Sequence, residues 1–153
     1  MCSRSSEPSA FVFMAMTPMS RRAIHYWDQG LKFDVMQMPL NPMDYHQQSF
    51  QRHVLPELAR RDIGVIAMKT NADGSLLREH ICSIAECQRY AWSLPISLAV
   101  VGQTTPGQVR ENAARARVFV AYTDAERRAL LARIAPRAAP DLEWYKQGDG
   151  LGG

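Results

Sequence analysis

The sequence predicts an α/β fold of about four strand–helix units with parallel strands, closed by an extra C-terminal helix. Two observations carry this. Short apolar runs, bounded by Gly and Pro, alternate with segments of helical periodicity along most of the chain, the pattern of βαβ units. Three helix starts are also marked by capping boxes, in which a Ser or Thr cap is answered by Glu or Gln three residues on: Ser83 with Glu86, Thr105 with Gln108, and Thr123 with Glu126.

In order, Phe11–Met16 is a short strand or a buried stub, and the segment 1–16 as a whole is poorly defined. Thr17 and Pro18 open a helix that reaches Gln29 and stops at Gly30, with Ile24, Trp27 and Leu31 as its apolar stripe. Phe33–Met38 is a strand ended by Pro39-Leu40-Asn41-Pro42. Residues 47–60 read as helical, with Phe50, Val54 and Leu58 on one face and Pro56 forcing a kink or a restart. Ile63–Met68 is almost continuously apolar, as expected of a parallel strand covered on both faces. Lys69–His80 reads as a loop. The Ser83 box starts a helix with Ile84, Cys87 and Ala91 inward, and the Thr123 box starts one with Leu130, Leu131 and Ile134 inward. Pro136 and Pro140 end that last helix, and residues 147–153 are a Gly-rich tail expected to be disordered.

Composition excludes several function classes. The chain has 153 residues, 46% hydrophobic and 22% charged, with a net charge of +3, ordinary for a globular protein. No apolar run reaches the length of a membrane helix. The run at Phe11–Met16 is too short for a signal peptide, and Arg21-Arg22 has no hydrophobic stretch after it. No membrane partner is expected, and a cytoplasmic location is the default. Cys2, Cys82 and Cys87 form no CxxC pair, so reduced thiols are expected rather than a disulfide framework or zinc site. Seven arginines lie between Arg110 and Arg137. They match no nucleic-acid motif and read as a solvated helix face, so no nucleic acid is expected as a partner. Asp44, His46 and His53 share no metal-ligand spacing; the histidines are placed at the surface and no metal site is predicted.

The chemistry concentrates in Ile96–Asn112. A strand ends at Gly102 and runs into a helix with Thr105 as cap, Pro106 at the first helical position and Gln108 closing the box. The orphan N–H groups of such a start suit a phosphate. No GxGxxG follows any strand, so a Rossmann fold has no motif support. The other main architecture of repeated βα units is the (β/α)₈ barrel, which needs about 250 residues; four units amount to half of one.

Three blocks carry a family resemblance. Asp34–Asn41 resembles the sixth strand of the aldo/keto reductases. Gly64–Thr70, approached through Leu55-Pro56 and Arg60-Arg61-Asp62-Ile63-Gly64, resembles the seventh. Val101–Asn112 resembles the eighth strand with its loop and cofactor-binding helix. The resemblance spans residues 17–146 and implies the C-terminal half of a TIM-type barrel that binds NADP(H). By position, it implies that Gln37 meets the nicotinamide carboxamide and that Met68 takes the place of an aromatic ring stacked on the nicotinamide. It implies that Lys69 reaches a cofactor phosphate. It further implies that Gly102, Gln103 and Thr104 meet the 2′-phosphate and ribose, that Gln108 lies where many members carry Arg or Gln, and that Glu111 and Asn112 contact adenine.

The family's catalytic Asp, Tyr, Lys and His come from the first four strands, which have no counterpart here. Tyr26, Lys32, Tyr45 and His46 lie in no matching motif, so no catalytic residue is assigned. Phe13–Met16 departs from the family's fifth strand, and Asn71-Ala72 stands where a glycine pair is usual. The expectation is an NADP-dependent oxidoreductase-like chain, truncated to its cofactor-binding half and inactive alone, whose full-length relatives act on small carbonyl substrates. The alternative is a non-catalytic half-barrel that binds cofactor or associates with itself through its exposed edges.

Overall fold

Strand order follows chain order. β1 (Val12–Met14), β2 (Val35–Pro39), β3 (Gly64–Met68) and β4 (Leu98–Ala99) pair side by side, all parallel, as β1-β2-β3-β4. The computed structural model describes residues 12–14, 20–30 and 32–147. Between the strands lie α1 (Ser20–Asp28), then α2 (Phe50–His53) with α3 (Leu55–Arg60), then α4 (Ser75–Arg78) with α5 (Ile84–Trp92). After β4 come α6 (Pro106–Arg117) and α7 (Asp124–Ile134), and 3₁₀ turns at Ala135–Arg137 and Pro140–Lys146. The α/β class and the parallel sheet are as the sequence predicts.

Each element has a local cause. Gly30, at φ 103°, stops α1 in a conformation that suits glycine. Pro56 falls in the first turn of α3, where its missing N–H costs nothing, so the helical stretch expected over 47–60 restarts there as anticipated, and its first part begins at Phe50. All three capping boxes form, with both reciprocal hydrogen bonds present in each. Two elements differ from expectation. Residues 69–80 contain α4, which starts at Gly74 without a side-chain cap and so leaves no capping signature. The β4 strand is only two residues long and lies at the edge of the sheet beside β3. The start of the first helix at Thr17, and Leu31 of its stripe, lie outside the described residues, as do residues 148–153 of the tail.

The register separates two faces of the sheet, since directly paired residues of parallel strands share a face. Met36 pairs with Val65, and Met38 with Ala67; these four are buried with Phe33, Phe50, Leu58, Leu76, Tyr90 and Ile134 in one core. Burying each large apolar side chain there contributes about 1.5–3 kcal/mol. The opposite row runs Met14, Gln37, Ile66, Leu98. It is open: Met14 is 58% and Leu98 56% exposed, and Gln37 and Ile66 are half-buried. Two-sided coverage of the third strand is thus corrected. Gly64 and Ile66 make it read as apolar throughout, but among the described residues they are half-buried while Val65 and Ala67 are buried.

The last helices are attached unequally. α7 buries Leu130, Leu131 and Ile134, whereas α6 buries none of its residues. Among the described residues, no helix is long and apolar enough to cross a membrane.

Candidate functional site

The predicted binding residues sit in or after the C-terminal ends of three neighbouring strands, the end at which parallel α/β sheets place their ligands. Gln37 lies mid-strand in β2, Met68 closes β3 and Lys69 follows it. Gly102, Gln103 and Thr104 follow β4, and Gln108, Glu111 and Asn112 ride on α6.

The structure brings Gln37 and Met68 together. The Gln37 Nε2 donates to the Met68 Sδ at 3.4 Å, a weak acceptor for an amide donor. Gln37 is half-buried on the open face, while Met68 is 7% exposed.

Lys69 is held from three sides. Its backbone takes φ 51°. Its Nζ pairs with the Asp73 Oδ1 at 2.7 Å and stands 5.6 Å from the Tyr145 ring centre and 6.0 Å from that of Trp144. Its carbonyl accepts from the Asn41 Nδ2 at 3.2 Å. As positioned, its charge serves the loop.

The start of α6 is self-satisfied. The Gln108 Oε1 accepts from the Thr104 N–H at 2.7 Å and the Thr105 N–H at 3.3 Å. The Thr105 Oγ1 accepts from the Gln108 N–H at 3.3 Å. Three amides that the sequence offers to a phosphate are therefore engaged in the cap. Gly102, Gln103 and Thr104 are all exposed.

Glu111, exposed, pairs with the Arg115 Nη2 at 3.1 Å. The Asn112 Oδ1 accepts from the Gln88 Nε2 at 2.7 Å and the Arg115 Nη1 at 3.0 Å, which ties α6 to α5. Gln103 and Asn112 also line a cleft of about 660 Å³ between β4 and α6, whose walls include Trp92, Leu98, Val101 and Val109.

One cluster escaped sequence reasoning. The Lys146 Nζ donates to the Asp44 Oδ1 at 2.6 Å, the Glu143 Oε2 at 2.7 Å and the Gln47 carbonyl at 3.1 Å. The Lys146, Asp44 and Glu143 side chains are 4%, 0% and 2% exposed. Asp44 further accepts from the Phe50 and Gln51 amides at 3.0 and 2.9 Å. Glu143 accepts from the Asn41 Nδ2 and the Tyr145 hydroxyl, both at 2.9 Å. Burial pushes both carboxyls above their ordinary range, against the pull of the Lys146 ammonium. These groups satisfy one another, so the cluster is a latch that ties residues 140–147 to the loop after β2. The separation of Glu143 and Lys146 by three residues is visible in the sequence, but no local pattern announces a partner at Asp44.

Asp44 thus serves this latch rather than sitting beside histidines as a ligand. His46 is half-buried where a surface position was expected; His53 is exposed. Among the described residues, no group of three or more His, Cys, Asp or Glu is arranged to hold a metal.

No family model, curated protein or solved structure matches this chain.

Proposed function

We propose that residues 17–146 are the C-terminal half of an aldo/keto reductase-type (β/α)₈ barrel and that its strand ends hold NADP(H). The observation that carries this reading is the Gln37–Met68 pair, 3.4 Å apart, on the less buried face of the sheet, where Gln37 and Ile66 are half-buried and Leu98 is exposed. A doubly wound sheet covers both faces and reverses its strand order at a switch point. Four parallel strands in chain order, with helices packed on one face, suit instead the wall of a barrel whose interior is open. Gln37 and Ile66 then face the barrel interior.

The residues present fit the cofactor unevenly. Gln37 offers an amide on the open face for the carboxamide, and Met68 a polarisable thioether for the ring. At the adenosine end, the phosphate has to displace Gln108 from the Thr104 and Thr105 amides, a local exchange of one acceptor for another. When bound, the dinucleotide supplies the hydride for a carbonyl substrate. No described residue of this chain is assigned as the proton donor, so the chain alone binds without turnover.

Titrating NADPH against the protein while following nicotinamide fluorescence tests the reading. Binding is expected, weakened about tenfold by Gln37→Ala, the worth of one well-placed hydrogen bond. No carbonyl-dependent NADPH oxidation is expected. A flat titration would remove the cofactor, and turnover lost in Gln37→Ala would show that the proton donor lies in this chain.

A second reading is self-association through the same face, favoured by Met14 and Leu98 at 58% and 56% exposure. Sedimentation of a monomer that binds no hydrophobic dye would remove it.

A further inference from the structure

We propose that Cys82 and Cys87 form a dithiol site that closes to a disulfide by exchange with small-molecule disulfides. The site follows from the capping of α5. Ser83 is the cap: its Oγ accepts from the Glu86 N–H at 3.2 Å, and its own N–H donates to the Glu86 Oε2 at 2.8 Å. That geometry makes Cys82 the residue before the cap and Cys87 the fourth residue of the helix. These are the two positions that a hydrophobic staple brings into contact. Here both members of the staple are thiols, free and buried, and each is the foremost influence on the other's titration.

The two sulfurs differ in access. Cys82, 6% exposed, lines a cleft of about 370 Å³ with His80, Glu86 and Arg133, while Cys87 is 0% exposed and lies outside that lining. The Arg133 guanidinium is fixed there, donating to the Ile81 carbonyl at 3.1 Å and to the Glu86 Oε1 at 2.5 Å.

The surroundings assign the roles. Cys82 reaches the cleft and Cys87 does not, so Cys82 is the attacking thiolate and Cys87 the resolving thiol. The neighbouring Cys87 lowers the Cys82 thiol below the ordinary cysteine value, with Arg133 acting in the same direction against burial and Glu86, while Cys82 and burial raise Cys87.

The chemistry balances. The Cys82 thiolate attacks one sulfur of the small disulfide, whose S–S bond breaks and releases one thiolate. Cys87 then gives up its proton and attacks the Cys82 sulfur, expelling the second small thiolate. Two electrons pass from the protein thiols to the small disulfide, and the two protons end on the two released thiols.

The test uses the full chain carrying Cys2→Ser, incubated folded with oxidised glutathione and followed by intact mass and peptide mapping. The expected product has lost two hydrogens, maps to a Cys82–Cys87 link and is reversed by dithiothreitol. Cys87→Ser should stop at a stable glutathione adduct on Cys82, and Cys82→Ser should form none. Two unreacted thiols in the folded chain, alongside full reaction of the urea-unfolded chain, would overturn the proposal. So would first adduct formation on Cys87. Mapping the Cys2→Ser chain decides the matter even if a Cys82 or Cys87 variant fails to fold.

Discussion

Replacing Lys146 with methionine removes the ammonium shared by Asp44 and Glu143 while keeping most of the side chain's volume. The three groups lie within 2.6–2.7 Å contacts at 4% exposure or less, so water cannot take over the lost charge. Breaking a buried ion pair from one side costs about 3–5 kcal/mol, most of it the penalty of the abandoned charge. Two features hold the cost inside that range. Asp44 keeps the Phe50 and Gln51 amides at 3.0 and 2.9 Å, and Glu143 keeps Asn41 and Tyr145, both at 2.9 Å. Two carboxylates are orphaned instead of one, which pushes the other way. With a urea slope of about 2 kcal/mol per M for a small domain, the unfolding midpoint should fall by about 2 M. The double variant Asp44→Asn/Lys146→Met, with one charge of each sign removed, should recover much of that loss. A fall below about 0.5 M for the single variant would refute the reasoning, since it would mean that solvent already reaches the cluster and that residues 140–147 are not latched.

Two further outcomes follow from the same geometry. Asp44 and Glu143 are both held above their ordinary range, by burial first. The folded chain therefore keeps protons that the unfolded chain loses, so stability is fullest below the unfolded carboxylate values and falls as pH rises through the folded ones. Glu143→Gln leaves one carboxylate for one ammonium and should flatten that fall; urea midpoints measured from about pH 4.5 to pH 7 check it, and an unchanged slope would count against it. Thr105→Ala removes the acceptor for the Gln108 N–H, 3.3 Å away, and a lost cap of this kind costs about 1 kcal/mol. Because α6 buries none of its residues, the loss should stay local. Its amides should exchange about fivefold faster while the global midpoint hardly moves; hydrogen exchange reads both, and unchanged α6 protection would contradict it.

The features legible in the sequence are those fixed by neighbours a few residues away. A capping box is a contact across three residues, and all three form where Ser83, Thr105 and Thr123 announce them. Pro56 restarts its helix because a proline tolerates only the first turn. Helix α4 had no such marker: Gly74 caps it at φ 85° without a side-chain bond, after left-handed backbone at Lys69, Ala72 and Asp73, of which only the aspartate is a type that favours it. The latch was illegible for a different reason. Lys146 and Asp44 are 102 residues apart, and charge composition records neither burial nor pairing. The open sheet face was masked by composition, since Gly64 and Ile66 are as apolar as the buried Val65 and Ala67 beside them.

The two ends of the candidate site differ in firmness. The loops after β2 and β3 are fixed from beneath. Asn41 links the Lys69 carbonyl to Glu143 at 3.2 and 2.9 Å, and Lys146 carries that bracing on to Asp44. Gln37 and Met68 therefore stand on a rigid wall. Among the described residues the β4–α6 end has no comparable anchor: its loop is exposed, its helix buries none of its residues, and Asn112 accepts a hydrogen bond from the Gln88 Nε2 at 2.7 Å. On the proposed reading, nicotinamide would meet a preformed surface, while the adenosine end would have to displace the cap of α6 and hold a helix that buries none of its residues. Uncapping subtracts from the gross contact energy. On that reading the dinucleotide would be bound more weakly than the residue inventory suggests, because α6 buries none of its residues and its cap has to open.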